Sequence, residues 1–295
     1  MSQTDIPANK ADTREIVVNL TELKKLDARP KLQVYVRKVW ERRHFIVAQG
    51  QTKALSGGRG TYLGALWLFL NPIFQVAIYA VVFGLIMGAR RGIDNFIGFL
   101  VLGVVFFGFL SNGLSAGSGL MQQNKALISA FTFPRAALPI STTVKALIDD
   151  LIPAVLAVVV ALLFQVHQSP SWTILLVVPL YILIHLFSLG LTFFVARATA
   201  FIPDLKNLVA VINRALFFLS GVFFSIDRFE THPLLKEVVL ANPFYQFLTS
   251  IRTCVLDGAV PSHEVWLYLA TWSLTLFFTG FIYFWHAEER YGTVR

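Results

Sequence analysis

The stretch Tyr62–Gly88, YLGALWLFLNPIFQVAIYAVVFGLIMG, is the first part of the chain without a charged side chain that is long enough to cross a bilayer. As a helix rising about 1.5 Å per residue, Leu63–Ile86 reaches roughly 36 Å, against a hydrocarbon core of about 30 Å. Pro72 has no amide hydrogen and clashes with the carbonyl four residues back, that of Leu68, so a bend is expected near Asn71-Pro72. Trp67, Phe74, Gln75, Tyr79 and Phe83 are read as one face of this span.

Apolar runs of the same length repeat downstream. With the first at 63–86, further spans are expected at 96–114, 144–166, 172–196, 209–226 and 265–285. The fold class is therefore all-α integral membrane, with six transmembrane helices. Only 14% of the 295 residues are charged, where a soluble domain would carry about 25%. The single cysteine, Cys254, excludes an intrachain disulfide and a cysteine metal cluster. The first 30 residues lack an apolar core segment, so no signal peptide is expected.

The net charge of +8 is topological. With the N-terminus inside, cytoplasmic segments hold 20 of the 25 lysines and arginines. Both termini are then expected in the cytoplasm, and no nucleic-acid partner is implied. Residues 1–30 read as a flexible cytoplasmic tail. From Leu32 to Val47, the residues Leu32, Tyr35, Val36, Val39, Trp40, Ile46 and Val47 share one helical sector. Arg43 is the one charge within it, and it can snorkel to headgroups. This is a basic amphipathic helix for a membrane surface or for a packed partner. Residues 50–61 read as a glycine-rich connection, which makes 31–61 an interface unit ahead of a permease domain at 62–290 and a short tail at 291–295.

Three further segments have their own character. The segment 120–143 lies between the second and third spans. Residues 227–262 are too long for a turn, and their apolar pattern gives two short helices, Leu234–Ala241 and Phe244–Leu256, broken at Asn242-Pro243. They are read as re-entrant in the outer leaflet or as a surface cap, with Arg228, Lys236 and Arg252 as a basic rim. Within the spans, only His185 is ionisable near mid-depth. Asp149 and Asp150 stand near the start of the third span and, as helix neighbours, point about 100° apart. No Walker loop is present, since SGGRGT lacks the following Lys-Ser/Thr. A chain of this kind that works uphill needs its motor on another polypeptide.

Leu63-Gly64-Ala65-Leu66-Trp67, Leu70-Asn71-Pro72, Tyr79 and Phe83-Gly84 resemble the first span of type-2 ABC exporter permeases. The branch is that of the O-antigen, teichoic acid, capsule and galactan exporters. Lys125-Ala126-Leu127-Ile128 with Phe133-Pro134-Arg135 and Leu138-Pro139 is similar to that family's segment between spans two and three. Phe201-Ile202-Pro203-Asp204-Leu205 stands in place of its aromatic-Arg-Asp loop, with Pro203 where arginine is usual. Asn242-Pro243, Arg252 and Asp257-Gly258 resemble its outer re-entrant region.

The resemblance implies a homodimer with two ABC ATPase subunits docked below it. ATP and magnesium are then held by the ATPases, and this chain, not itself an enzyme, holds no cofactor or metal. The cargo implied is a lipid-linked glycan, with cell-wall galactan on a polyprenyl diphosphate as the specific expectation. Drug or small-lipid export by a sibling permease, and an integral membrane glycosyltransferase, are the competing readings. Family channel walls on the first and fifth spans imply a substrate path along Trp67, Phe74, Gln75, Tyr79, Phe83, Phe217, Phe218, Phe223 and Phe224. Aromatic faces there stack on sugar rings. The spacings Phe217/Phe224 and Tyr79/Phe83 put each pair on one helical face. The ATPase-coupling residues implied are Lys125, Phe131, Phe133, Pro134 and Arg135, and the outer gate comprises Asn242, Pro243 and Arg252.

Overall fold

The structure is a computed structural model that describes residues 30–56, 66–82, 95–165, 170–226 and 233–293. Residues 1–29, Phe83, the loop carrying Arg90, Arg91 and Asp94, and Arg228 lie outside the described residues. All regular structure among the described residues is helical. Among the described residues, four helices are long and apolar enough to cross a membrane: Phe96–Gly117, Ala137–Leu163, Trp172–Phe201 and His263–Trp285. The chain is an all-α integral membrane protein.

In chain order, α1 (Leu32–Glu41) and α2 (Arg43–Ser56) are followed by α3 (Leu66–Tyr79), which carries the first apolar stretch, and α4 (Phe96–Gly117). The short helices α5 (Leu120–Gln123) and α6 (Lys125–Ala130) lead to α7 (Ala137–Asp149) and α8 (Leu151–Leu163). A 3₁₀ turn, Trp172–Leu176, opens α9 (Val177–Phe201), and α10 is Leu205–Leu219. Then come α11 (Pro233–Leu240), α12 (Pro243–Val255), α13 (His263–Trp285) and a terminal 3₁₀ turn, Glu288–Thr293.

α4 is the axis of the bundle, with most of its residues buried against α9, α8, α3, α10 and α12. Its contact with α8 is lined by Ala154, Ala157 and Ala161, small side chains that let two backbones approach. The opposite face of that span, Ile148, Leu151, Ile152, Val155, Val159 and Leu163, is exposed at helical spacing, as a lipid-facing stripe requires. Where α9 crosses α13, a Cβ on Gly280 would stand 2.7 Å from the carbonyl oxygen of Gly190, so the crossing is built for glycine.

Several sequence readings change. The amphipathic segment is two helices that meet at Arg42, and residues 50–56 are helical. Gly50 serves close packing on Val144 of α7, not a flexible connection. The third span begins at Ala137, ahead of Val144, because Pro139 lies in the first turn of α7, where a missing amide breaks no helical bond. Asp149 and Asp150 consequently sit half-way along this span, at a junction created by Pro153, whose ring excludes the amide that would bond the Asp149 carbonyl. The fifth span stops at Leu219. Gly221 adopts φ +66°, and Ser220, Gly221, Val222 and Phe223 fold back into the core. Phe224 is therefore off the helix and does not share a helical face with Phe217.

α12 is buried along most of its length, through Phe244, Phe247, Leu248, Ile251 and Val255, and packs on α4, α9 and α13. α11, by contrast, is mostly exposed. Asn242 caps α12 by accepting a hydrogen bond from the Phe244 amide at 3.0 Å, and Pro243 stands at the first helical position.

Candidate transport pathway

One stripe of α4 sets the pathway. Val104, Gly108, Ser111 and Ser115 recur at intervals that keep them on a single helical face, and they line a cavity of about 590 Å³ between α3, α4 and α10. α3 contributes Gln75 and Tyr79, and α10 contributes Asn213, Arg214 and Phe217. The wall changes character along its length. Towards α12, Tyr79 lies 5.5 Å from Phe217 and 5.2 Å from Phe223, and Phe217 lies 5.1 Å from Phe107 and 5.0 Å from Phe223, all as ring centroids. Half-way along, the Asn213 side-chain amide donates to Ser115 Oγ at 3.3 Å. At the end nearest α1, the wall is Ser118 and Lys206, while Arg214 follows Asn213 at the middle. An aromatic end, a hydroxyl and amide middle and a cationic mouth suit a long polar cargo better than a purely apolar one.

Tyr79, Phe217, Phe218 and Phe223 form one aromatic cluster, Phe218 lying on its exposed side. Gln75 lines the cavity, whereas Phe74 is 52% exposed beside Ile73 on another side of α3. Trp67 is on α3, without a described side chain. Phe107 belongs to the cluster and was missed by the sequence reading. It sits in the run VVFFGF, where no spacing separates a pathway aromatic from a core one.

A second cavity of about 330 Å³ adjoins the first across Gln75, Gly108, Ser111 and Ser115, and reaches Asn112 and Asp150. Asp150 Oδ2 lies 3.3 Å from His185 Nε2, while His185 Nδ1 faces the Tyr181 carbonyl at 2.9 Å. Asp149 points elsewhere and pairs with Lys145 within the helix. The spans therefore hold more ionisable groups than His185 alone.

At the α1 end, three distant segments meet. Tyr35 Oη donates to Glu288 Oε2 at 2.7 Å and accepts from the Ala136 amide at 3.0 Å. The Arg135 amide donates to Glu288 Oε1 at 2.8 Å, with the Arg135 guanidinium 3.7 Å from the same oxygen. Burial holds the Glu288 carboxyl above the usual carboxylate range, opposed by the hydrogen bonds from Arg135 and Tyr35. Burial, then the neighbouring Glu288 charge, pushes the Tyr35 phenol up as well. Neither Tyr35 nor Glu288 stood out in the sequence as a site residue.

The coupling residues divide. Phe133 and Arg135 turn inward, Phe133 beside Phe45 and Arg135 onto Glu288, and Pro134 is buried with them. Lys125 and Phe131 stay on the surface, Phe131 at 64% exposure.

Arg252 departs from the expected outer rim. Its guanidinium is interior and donates to the carbonyls of Phe99 at 3.2 Å, Gly221 at 2.8 Å and Val222 at 3.1 Å. It also lies 3.4 Å above the Phe99 ring. This is a clamp on the chain reversal after α10, closed by the carbonyls that the break at Gly221 leaves without helical partners. Asn242 supports the same reversal by donating to Ser220 Oγ at 3.1 Å.

The profile of the family described as "ABC-2 type transporter" matches residues 51–256, more than half of the chain. The chain belongs to that family. The ABC-2 permease is also similar to the O-antigen export system permease protein RfbA of Myxococcus xanthus. The two are 26% identical over 258 residues, which cover 87% of this chain and 97% of that protein. The matched family region takes in both cavities, the α5–α6 segment and α12, and ends just short of α13. It makes the chain a multi-pass, membrane-embedded transport subunit and implies an ABC ATPase partner.

Proposed function

We propose that this permease is the transmembrane subunit of an ATP-driven exporter that carries a lipid-linked polysaccharide from the cytoplasmic to the outer side of a bacterial plasma membrane. Both termini lie in the cytoplasm. Two copies form the pathway, with α3 and α10 of each facing the other, and two ABC ATPases bind below and hold ATP and magnesium. The observation that carries this reading is the 590 Å³ cavity, whose wall runs from Lys206 through Ser111, Ser115, Asn213 and Arg214 to Tyr79, Phe107 and Phe217. Cations suit a diphosphate linker, hydroxyls and amides suit sugar hydroxyl groups, and aromatic faces suit the C–H faces of sugar rings. The O-antigen export function named for the Myxococcus relative supports the same class of cargo.

Galactan on a polyprenyl diphosphate is the specific cargo we favour. A drug or small-lipid substrate fits less well, because the middle of the wall is polar. Lys125 and Phe131 are the surface the ATPase meets, and α11 with α12 forms the outer gate.

The deciding experiment purifies the permease with candidate ABC ATPases of the same organism and measures ATP hydrolysis. Lipid-linked galactan, the lipid carrier alone and a panel of drugs are then added in turn. Stimulation by the lipid-linked glycan alone is expected. Stimulation only by drugs would move the protein to the sibling class, and failure of any ATPase to bind would overturn the reading altogether.

A further inference from the structure

We infer that Asp150 is a ligand-binding residue, which together with Asn112 and Gln75 accepts and donates hydrogen bonds to the hydroxyl groups of a saccharide in the groove between α3, α4 and α8. The inference rests on the polysaccharide reading and adds a subsite to it, on the α8 side of the shared α4 stripe, where the larger cavity has α10.

A carboxyl group half-way along a membrane-spanning helix is costly unless it is paired or faces a polar cavity. Asp150 does both. A carbonyl oxygen only accepts, so His185 Nδ1, 2.9 Å from the Tyr181 carbonyl, carries a proton. His185 Nε2 then shares one further proton with Asp150 Oδ2 across 3.3 Å. This contact fixes the carboxyl group through a single oxygen. Among the described residues His185 is the only hydrogen-bond partner of the Asp150 side chain, and Asp150 lines the 330 Å³ cavity. Neighbouring polar groups are committed elsewhere: Lys145 pairs with Asp149, and the Tyr181 hydroxyl donates to the Leu147 carbonyl at 2.7 Å.

The lining decides the ligand. Among the described residues the groove offers, besides Asp150, the amides of Gln75 and Asn112 and the hydroxyls of Ser111 and Ser115, with neither a lysine nor an arginine and no second carboxylate. An anion would find no cation there, and a metal ion would find one carboxyl group already tied to a histidine. A neutral polyol finds several donors and acceptors at different depths. Because the groove joins the larger cavity at Gln75, Gly108, Ser111 and Ser115, a saccharide in the main path can extend into it.

The test uses the full chain in nanodiscs with maltoheptaose as the probe, followed by saturation-transfer NMR. Asp150→Asn keeps a donor for His185 Nε2 and removes the carboxylate. Asn112→Ala alters a residue that lines only this groove. Each is expected to weaken probe binding about tenfold, the scale of one lost charge-assisted or amide hydrogen bond to a ligand. His185 acts as a positioning residue, so His185→Gln, which still hydrogen-bonds the carboxyl group, is expected to retain more binding than His185→Ala. Thermal melting of each variant confirms folding. Absence of maltoheptaose binding to the wild type, or equal binding by wild type, Asp150→Asn and Asn112→Ala, overturns the inference. The polysaccharide reading itself falls only if lipid-linked glycans also fail to stimulate the associated ATPase.

Discussion

Tyr35 and Glu288 are 253 residues apart in sequence and joined by a buried hydrogen bond of 2.7 Å. Through it, α1, the loop before α7 and the turn after α13 become one unit, since Arg135 and Ala136 donate their amides to the same two side chains. In the proposed orientation this unit lies directly above the ATPases. We propose that motion imposed on the Lys125–Pro134 segment reaches both the interface helix and the end of the last span through these bonds.

Tyr35→Phe keeps the ring, which is 1% exposed, and removes only the hydroxyl. The Ala136 amide and one Glu288 oxygen are left short of partners in a buried site, at a cost of about 1–3 kcal/mol. The expected result is a drop in melting temperature of about 5 °C, measured on the purified protein in one detergent. Unchanged melting would mean that the node is not structural.

The same node makes stability depend on pH. Burial raises the Glu288 carboxyl above its ordinary value, so the folded protein binds this proton more tightly than the unfolded chain does. The stabilisation is complete below the ordinary glutamate value of about 4.3 and is lost as pH rises through the higher folded-state value. Melting temperature is expected to decline over that window, and Glu288→Gln, which cannot ionise, to flatten the decline. A decline of equal slope in wild type and Glu288→Gln would assign it to other groups.

Arg252 and Gly103 are expected to behave as one unit. A Cβ on Gly103 would collide with the guanidinium of Arg252, so Gly103→Ala displaces the clamp. Arg252→Met strands the Gly221 and Val222 carbonyl oxygens and removes a further bond to the Phe99 carbonyl, each bond from a charged donor being worth about 1.5–3 kcal/mol. Either single change should sharply reduce the yield of monodisperse protein in size-exclusion chromatography. The double mutant should be little worse than Arg252→Met, a coupling that independent sites would not show.

The two aromatics of the coupling segment should separate stability from coupling. Phe133 is 7% exposed and packs beside Phe45, so Phe133→Ala should cost about 3–5 kcal/mol and lower the melting temperature. Phe131→Ala should leave melting unchanged and weaken co-purification with the ATPase. The reverse pattern would show that the ATPase contacts a different surface.

Much of the architecture was legible because lipid solvation imposes long apolar runs and because Asn242-Pro243 is a local stop-and-start signal. The errors have local causes too. Pro139 reads as a breaker in sequence but occupies a first helical turn, and that shift carried Asp149 and Asp150 from the membrane edge to mid-span. Gly221 inside the run FFLSGVFF reads as part of an apolar helix until its left-handed backbone is seen. What no pattern contains is long-range pairing. Asp150 with His185, Arg252 with the Gly221 and Val222 carbonyls, and Tyr35 with Glu288 depend on which helices become neighbours.

Gly108 gives a test in which stability and transport move in opposite directions. It lines both cavities, and an added Cβ there meets nothing within 4 Å. Glycine inside a helix is less favourable than alanine or leucine by roughly 0.5–1 kcal/mol. Gly108→Leu should therefore melt no lower than wild type while filling the junction of the two cavities with a branched side chain. Export, followed as accumulation of lipid-linked glycan on the cytoplasmic side, should fall more than about tenfold, whereas Gly108→Ala should lose far less. A Gly108→Leu protein that exports normally would place the route away from this stripe of α4, on a surface that the cavity does not reach.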